Sequence, residues 1–381
     1  MKIVFIGQKG IPTRIGGIER HAEELAIRLA EKGNEVLVYT RPNYTDKNLK
    51  EYKGVKLISL PTIASKHLDA IFHTFLACLD VSLRKDVSVI HFHSIGPCLL
   101  IWLAKLFNPF TPVVATFHSQ CYRNEKWGFF AKMSLKVGEY FCCKFSDELI
   151  TVSKNLRDYV WKEYQRKAIY VPNGVPMYEL VSPLKMKKWG LKKNGYFFFA
   201  GRLIRLKGVH HLILAFNQIK TNKKLVITGE GEYGDGYAEK LKKMVQGNEN
   251  IIFTGKIDGT DSELAELFSN AFVFVHPSET EGLSIALLET MSYGVPPLAS
   301  DIPENIEAVG EVGFFFENLN ADDLAFQMQK LEDNPDLVAN KREIAKKRVL
   351  NNYSWDEVSD SVLDVYENSL KVKLEKNEER C

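Results

Sequence analysis

One plan of apolar run, glycine and helix occurs twice in this chain, and it limits the fold more than any other feature. Near the start, KIVFIG from Lys2 is apolar throughout and ends in glycine. A loop punctuated by Gly10, Gly16 and Gly17 follows, then ERHAEELAIRLAEKGN, whose Ala22, Leu25, Ala26 and Leu29 share one helical face before Gly33. EVLVYT is the next strand. A strand that is apolar at every position, rather than at alternate ones, belongs in a parallel sheet covered on both faces. VKLISL, VSVIHFH, PVVATFH and ELITVS continue the series, with helical stretches between several of them. After YVPNGV the plan starts again: YFFFAGR, KGVHHLILAFNQI, KLVITGEG, LKKMVQ, IIFTG, SELAELFSNA and FVFVHPS alternate strand and helix. Two such series predict an α/β protein with two doubly wound, Rossmann-like domains.

The periodicity breaks across residues 173–191, at PNGV and SPLKMKKWGLKK. The expected domains are residues 1–175 and 190–354, and the long helical run of residues 355–381 is expected to pack back on the first. A length of 381 residues fits two or three domains at roughly 150 residues each. Hydrophobic residues make up 45% and charged residues 26%, as in an ordinary globular protein. The formal net charge is +2, but residues 1–150 hold 20 basic and 14 acidic residues against 30 and 34 in the remainder. A basic first half suits an anionic partner or membrane surface, or it is chance. Six cysteines without a CxxC spacing predict free thiols in a reducing cytosol. No stretch reaches the roughly 18 uncharged apolar residues of a spanning helix. HLDAIFHTFLACLDVSL is broken by Asp69 and Asp80, and PCLLIWLAKLF is too short, so both read as buried or interfacial helices. The N-terminal apolar run reads as a strand and not as a signal peptide. A cytoplasmic protein is expected, with peripheral contact at the inner face of the membrane as a further option and no nucleic-acid partner.

Three stretches carry candidate chemistry. GQKG followed by RIGG is not the G-x-G-x-x-G dinucleotide fingerprint, which disfavours a dehydrogenase. Gly16 and Gly17 before a helix either make a tight βα turn or let a ligand approach the free N–H groups of the helix start. In AGRLIRLKG, Arg202 and Lys207 follow a strand end, where open parallel sheets bind ligands; they are either solvated charges or grips on a diphosphate. In HPSETEGLSIALLETMSYGVPPLAS, Glu281 and Glu289 stand eight positions apart around small and apolar residues. Eight helical residues turn about 80° beyond two full turns, so the two acids do not stack. Either Glu281 caps the helix and Glu289 is solvated, or both face a ligand whose phosphate lies at the helix start between them. A carboxylate accepting two hydrogen bonds suits a vicinal diol. No D-x-D pair stands at a strand end; Asp258 and Asp261 flank a turn, and adjacent His210 and His211 point in different directions on a helix, so no metal ligand set and no cofactor are expected. NEKWGFFAKMSLKVGEYFCCKF mixes Lys126, Lys132, Lys136 and Lys144 with Trp127, Phe129 and Phe130, as either a core helix with a solvated face or one lying among lipid headgroups.

GGIERH, GRLIRLKG and PSETEGLSIALLETMSYGVPPLAS, in this order across nearly the whole chain, resemble the retaining nucleotide-sugar glycosyltransferases of family 4, which have the GT-B fold. The E-x7-E pattern of Glu281 and Glu289 is the specific part of the match. The resemblance implies two Rossmann-like domains facing a cleft, with the donor mainly on the second and a glycan or lipid-linked saccharide acceptor on the first. It implies that Arg202 and Lys207 bind the donor diphosphate, Glu289 the ribose hydroxyls, and Glu281 the transferred hexosyl unit near its anomeric carbon. Gly16 and Gly17 would approach the diphosphate or sugar, His118 would lie near the donor sugar, and Gly282 and Leu283 would offer backbone N–H groups. Ser153 and Asn173 match landmarks that shape the interdomain region. TGEGEYGDGY departs from the family's commoner proline-containing form, and QKGIPTRIGGIE resembles a polysaccharide-assembly subgroup. A sugar-nucleotide epimerase or hydrolase of the same fold, and a non-catalytic nucleotide-sugar-binding protein, are the rival readings.

Overall fold

The computed structural model of the chain describes residues 1–381 except 14, 15, 64, 66, 67, 85, 125, 126, 232–235, 246, 258–261 and 379–381, and only the backbone of 376–378. Lys126, Asp258, Asp261, Cys381 and part of TGEGEYGDGY therefore lie outside the described residues. The chain divides into two compact units, Met1–Asn173 with Trp355–Cys381, and Gly174–Ser354.

Eight strands form the sheet of the first unit: β1 (Lys2–Ile6), β2 (Glu35–Thr40), β3 (Glu51–Tyr52), β4 (Val55–Ser59), β5 (Val89–His93), β6 (Val113–Phe117), β7 (Glu148–Thr151) and β8 (Ile169–Tyr170). Their order is β3-β4-β2-β1-β5-β6-β7-β8, parallel except for the β3–β4 pair. Around it lie α1 (Gly17–Glu31), α2 (Asp69–Ser82), α3 (Ile101–Phe107), α4 (Phe129–Phe145) and α5 (Lys154–Tyr164). Ile3 and Phe5 of β1 pack with Val36 and Val38 of β2 and with Ala22, Leu25, Ala26 and Leu29 of α1 in one core. Ser153 caps α5, its Oγ accepting from the Leu156 N–H at 3.2 Å. Strand order reverses at β1, which lies between β2 and β5 and thereby makes a switch point at the carboxyl ends of β1 and β5.

The second unit repeats the design with β9 (Tyr196–Ala200), β10 (Lys224–Thr228), β11 (Ile251–Gly255), β12 (Val273–His276), β13 (Pro297–Ser300) and β14 (Phe314–Phe316). They pair in parallel in the order β11-β10-β9-β12-β13-β14, so the switch point falls between β9 and β12. Its helices are α6 (Val209–Phe216), α7 (Tyr237–Met244), α8 (Ser262–Asn270), α9 (Ile285–Ser292), α10 (Pro303–Val309), α11 (Ala321–Asp333), α12 (Pro335–Ala339) and α13 (Arg342–Asn352). Phe197, Phe198 and Phe199 of β9 are fully buried, as a central strand covered on both faces requires.

The last helix, α14 (Trp355–Glu378), belongs to the first unit. Trp355, Val358, Val362, Val365 and Tyr366 recur at helical spacing and enter the same core as β1 and α1. The Tyr366 hydroxyl lies 2.6 Å from His91 Nδ1 on β5, which fixes the helix with a buried polar contact. Among the described residues no helix is long and apolar enough to cross a membrane.

Candidate functional site

In the second unit the expected site residues come from two neighbouring strand ends. β9 and β12 run parallel and side by side, so the loops that follow them emerge at the same edge. Arg202 is exposed just after β9, and a 3-10 turn over Arg205–Lys207 leads into α6. Gly208 ends that turn at φ 64°, where a Cβ would stand 1.9 Å from the Pro277 carbonyl oxygen. Only glycine lets the Lys207 turn lie against the segment after β12. Lys207 Nζ accordingly forms an ion pair with Glu281 Oε1 although 74 positions separate them. The same oxygen is 2.9 Å from His276 Nε2, and Ser278 Oγ is 3.1 Å from that nitrogen.

A carboxylate can only accept, so His276 carries its proton on Nε2 and donates it to Glu281. Its Nδ1 is buried without a hydrogen-bond partner among the described residues. Burial by itself would raise the Glu281 pKa, but the Lys207 ammonium and the His276 donor outweigh it and hold the carboxyl well below the usual carboxylate range. Burial keeps His276 below its ordinary value, although Glu281 pulls the other way. The site therefore rests as a carboxylate between an ammonium and a neutral imidazole.

α9 begins at Ile285, so Glu281 lies in the preceding turn and Glu289 within the helix. Gly282 and Leu283 are buried between Glu281 and the helix start. Ser284, the N-cap, makes no side-chain bond to the first turn, so that turn is not capped from within. Glu289 is half-buried, which does not match a fully solvated helix face.

His210 and His211 correct an expectation. Their ring centroids are only 3.9 Å apart, and one nitrogen of each lies within 4.8 Å of the other and of a Glu279 carboxylate oxygen. The turn of about 100° between adjacent helical residues separates Cβ directions and leaves the ring ends free to meet. His210 Nδ1 is held 2.7 Å from the Tyr237 hydroxyl.

In the first unit Gly16 caps α1 at φ 113°, and exposed Gly17 opens the helix. His118 follows β6 and is buried. Its Nε2 lies 3.3 Å from Nδ1 of His93, the last residue of β5. His21, one turn into α1, stacks edge-on with the His118 ring at 4.7 Å, and its Nδ1 lies 2.9 Å from Asn173 Oδ1. Burial lowers the pKa of His21 to about 4 and those of His93 and His118 well below the ordinary value, so all three are neutral imidazoles. Sequence reasoning singled out His118 alone. His91 and His93 at alternate positions of one apolar strand, and the histidine that ends GGIERH, were the available signals.

α4 settles the alternatives for residues 124–145 in part. Gly138, Cys142 and Cys143 are buried on one side, while Phe129 and Phe130 are 72% and 83% exposed on the other. Met133, Val137 and Tyr140 extend that apolar stripe, and Lys132 and Lys136 border it. Its outward face is thus apolar with basic flanks and not simply solvated.

Comparison with known proteins agrees with these two units. A family model described as glycosyl transferases group 1 matches residues 181–348, and one described as Glycosyltransferase Family 4 matches residues 15–177. An uncharacterised glycosyltransferase of Methanocaldococcus jannaschii is 27% identical over 98% of this chain and 99% of its own length. Among solved structures, a sucrose-phosphate synthase from Thermosynechococcus elongatus superposes with a TM-score of 0.82 at 20% identity, over 97% of this chain and 99% of that one. The Anabaena protein HepE in complex with UDP-glucose gives 0.81 at 18% identity, over 97% and 100%. Two models, one for each repeat of the α/β plan and together matching residues 15–177 and 181–348, identify the chain as a member of the family 4 glycosyltransferases with the GT-B fold.

Proposed function

We propose that the chain is a retaining hexosyltransferase that moves a sugar from a nucleotide-diphosphate donor to a glycan or lipid-linked saccharide acceptor without a metal ion. The observation that carries this reading is the Lys207–Glu281–His276 network at the β9/β12 switch point, one residue before the Gly282–Leu283 approach to α9. A charged carboxylate fixed beside an ammonium and a helix start offers one acceptor for sugar hydroxyls and two kinds of positive end for a diphosphate. The solved neighbour that holds UDP-glucose supports a nucleotide-sugar donor.

On this reading the second unit takes the donor. Lys207, Arg202 and the α9 N–H groups stabilise charge that develops on the leaving diphosphate, Glu289 accepts from the ribose hydroxyls, and Glu281 accepts from the transferred sugar. The departing diphosphate takes the acceptor's proton on the same face that the acceptor attacks, which retains the anomeric configuration. Gly16 and Gly17, which open α1, and His118 are assigned supporting contacts to the donor. The test is incubation with a panel of nucleotide sugars and lipid-linked saccharides, with and without EDTA, read by mass spectrometry and by NMR of the new linkage. An acceptor-dependent product of retained configuration that persists in EDTA is expected. Inversion, a requirement for added metal, or an epimerised or hydrolysed donor formed equally well without acceptor would overturn the corresponding part.

The α4 face supports an anionic membrane as a second partner. Exposed phenylalanines flanked by Lys132 and Lys136 match a helix that lies at the headgroup boundary, where a lipid-linked acceptor would also be found.

A further inference from the structure

We propose that His21, His93 and His118 of the first unit form a three-histidine site for a transition-metal ion of the zinc, cobalt or nickel type. The three come from α1, β5 and the end of β6, and one nitrogen of each lies within 4.8 Å of the other two. His93 Nδ1 and His118 Nε2 are 3.3 Å apart. Two nitrogens bound to one tetrahedral ion at about 2.0–2.1 Å stand about 3.3–3.4 Å from each other, so this edge already has a coordination spacing.

His21 supplies the independent observation. Its Nδ1 faces the Asn173 carbonyl oxygen, which accepts, so Nδ1 holds the proton and Nε2 presents a lone pair. That Nε2 is buried and has no hydrogen-bond partner among the described residues, in a residue only 1% exposed. An orphaned lone pair on a side chain oriented by a hydrogen bond at its other nitrogen is the usual state of a metal-ligating histidine before the ion arrives. His93 Nε2 is likewise buried and without a partner among the described residues, so the proton now shared on the His93–His118 edge has a second ring position on His93 to move to. Binding then needs a change of tautomer and no net loss of a proton. Neutral imidazoles are the form that binds the ion. Three nitrogen ligands favour borderline ions over Mg²⁺ or Ca²⁺, which prefer oxygen.

The site does not depend on the transferase reading, but it bears on it. An ion held by His118 Nε2, the nitrogen that faces His93, leaves His118 Nδ1 as the donor that could still meet a sugar hydroxyl.

The test is titration of the full chain with Co²⁺ at neutral pH, read by visible d–d absorption, followed by displacement with Zn²⁺. One equivalent giving an intense band of low-symmetry coordination is expected. His21→Gln and His93→Gln should abolish that band, and Asn173→Ala should weaken binding about ten- to a hundredfold through the lost orienting bond. Circular dichroism separates loss of the site from loss of the fold, and the Asn173 variant keeps all three ligands. His211→Gln should leave the band unchanged, because His210, His211 and Glu279 form a separate cluster. No band in the wild-type chain, or a band lost in His211→Gln but kept in His21→Gln, overturns the proposal. The cobalt spectrum is read without any turnover, so its outcome stands apart from the donor assignment.

Discussion

Substituting Glu281 and Lys207 separately gives opposite results at one ion pair. The two side chains are 12% and 18% exposed, so the pair is largely out of water. In the donor-free protein Lys207 is already engaged by Glu281. A diphosphate that uses Lys207 must share it with that carboxylate or take it over. A hydrogen bond to a charged group contributes about 1.5–3 kcal/mol, which is about ten- to a hundredfold in affinity. Lys207→Met should therefore weaken binding of the bare nucleoside diphosphate by about that factor. Glu281→Gln removes the competing charge and keeps an acceptor for His276, so nucleotide affinity should hold or tighten up to about tenfold. Turnover with the intact donor should still fall, by about a hundredfold or more, if the carboxylate meets the sugar as charge develops there. Calorimetry of the nucleoside diphosphate at low salt, beside steady-state kinetics of both variants, reads all of these. If Glu281→Gln loses nucleotide affinity tenfold while Lys207→Met keeps it, the two roles are reversed. If Glu281→Gln turns over at the wild-type rate, the sugar contact is wrong.

The buried histidines of the first unit are neutral when folded, with His21 near 4 against about 6.5 unfolded, so the unfolded chain binds more protons and stability falls as pH drops below about 6.5. Each such ring contributes a slope approaching about 1.4 kcal/mol per pH unit, and acid unfolding of the first unit, followed by hydrogen exchange, should precede titration of the carboxylates. Glu281 has the opposite bearing: its folded pKa is depressed, so its stabilisation is complete above about 4.3 and is lost only as pH falls toward the folded value, leaving no Glu281 limb in a pH–rate profile between 5 and 8. Gly208→Ala should destabilise the second unit by more than the about 1–2 kcal/mol of a left-handed non-glycine residue, because its Cβ meets the Pro277 carbonyl; Gly236→Ala, at φ 66° with open space around it, should cost only the conformational part in denaturant melts. Vesicles with anionic lipid should carry the wild-type chain upward in a flotation gradient at low salt, and Phe129→Ser with Phe130→Ser should prevent it; equal flotation of both proteins refutes docking by the α4 face.

The doubled α/β fold was legible because its signals are local. A strand buried on both faces must be apolar at every position, and the glycine after it marks the turn into a helix, as at Ile6–Gly7 and Ala200–Gly201. Spacing also indicated that Glu281 and Glu289 have different settings, since that depends only on helical rotation and on where α9 starts. It could not indicate what Glu281 touches. Lys207 reaches it because β9 and β12 are neighbours in the sheet and Gly208 permits a close approach to Pro277, and neither fact is local. His21, His93 and His118 come together for the same kind of reason, from three elements whose only link is strand order. For α4 the difficulty was different: apolar residues with interspersed lysines suit a core helix or an interfacial one, and the sequence does not say which stripe the fold covers.

The donor-free state of the second unit bears on why a lysine and a glutamate are placed together at all. An ammonium held at a strand end with little access to water and no counter-ion would be costly, and would tend to lose its proton or swing outward. Glu281 pairs with Lys207 in the structure, and on the proposed donor assignment it holds the place that the diphosphate would take. On the proposed donor assignment, a diphosphate that takes over the ammonium leaves Glu281 with His276 as its remaining donor. In that proposal Glu281 accepts from a sugar hydroxyl as the anomeric carbon develops positive charge. The exchange keeps the number of buried uncompensated charges low in both states, so less binding energy is spent on preparing the site. His276 is therefore the residue that should connect the two halves of the cycle. His276→Gln, which can still donate to Glu281, should retain most turnover, whereas His276→Phe, which cannot, should raise the Glu281 pKa and bring an acid limb into the rate profile. A rate profile identical to wild type in His276→Phe would mean that Lys207 alone keeps Glu281 ionised throughout.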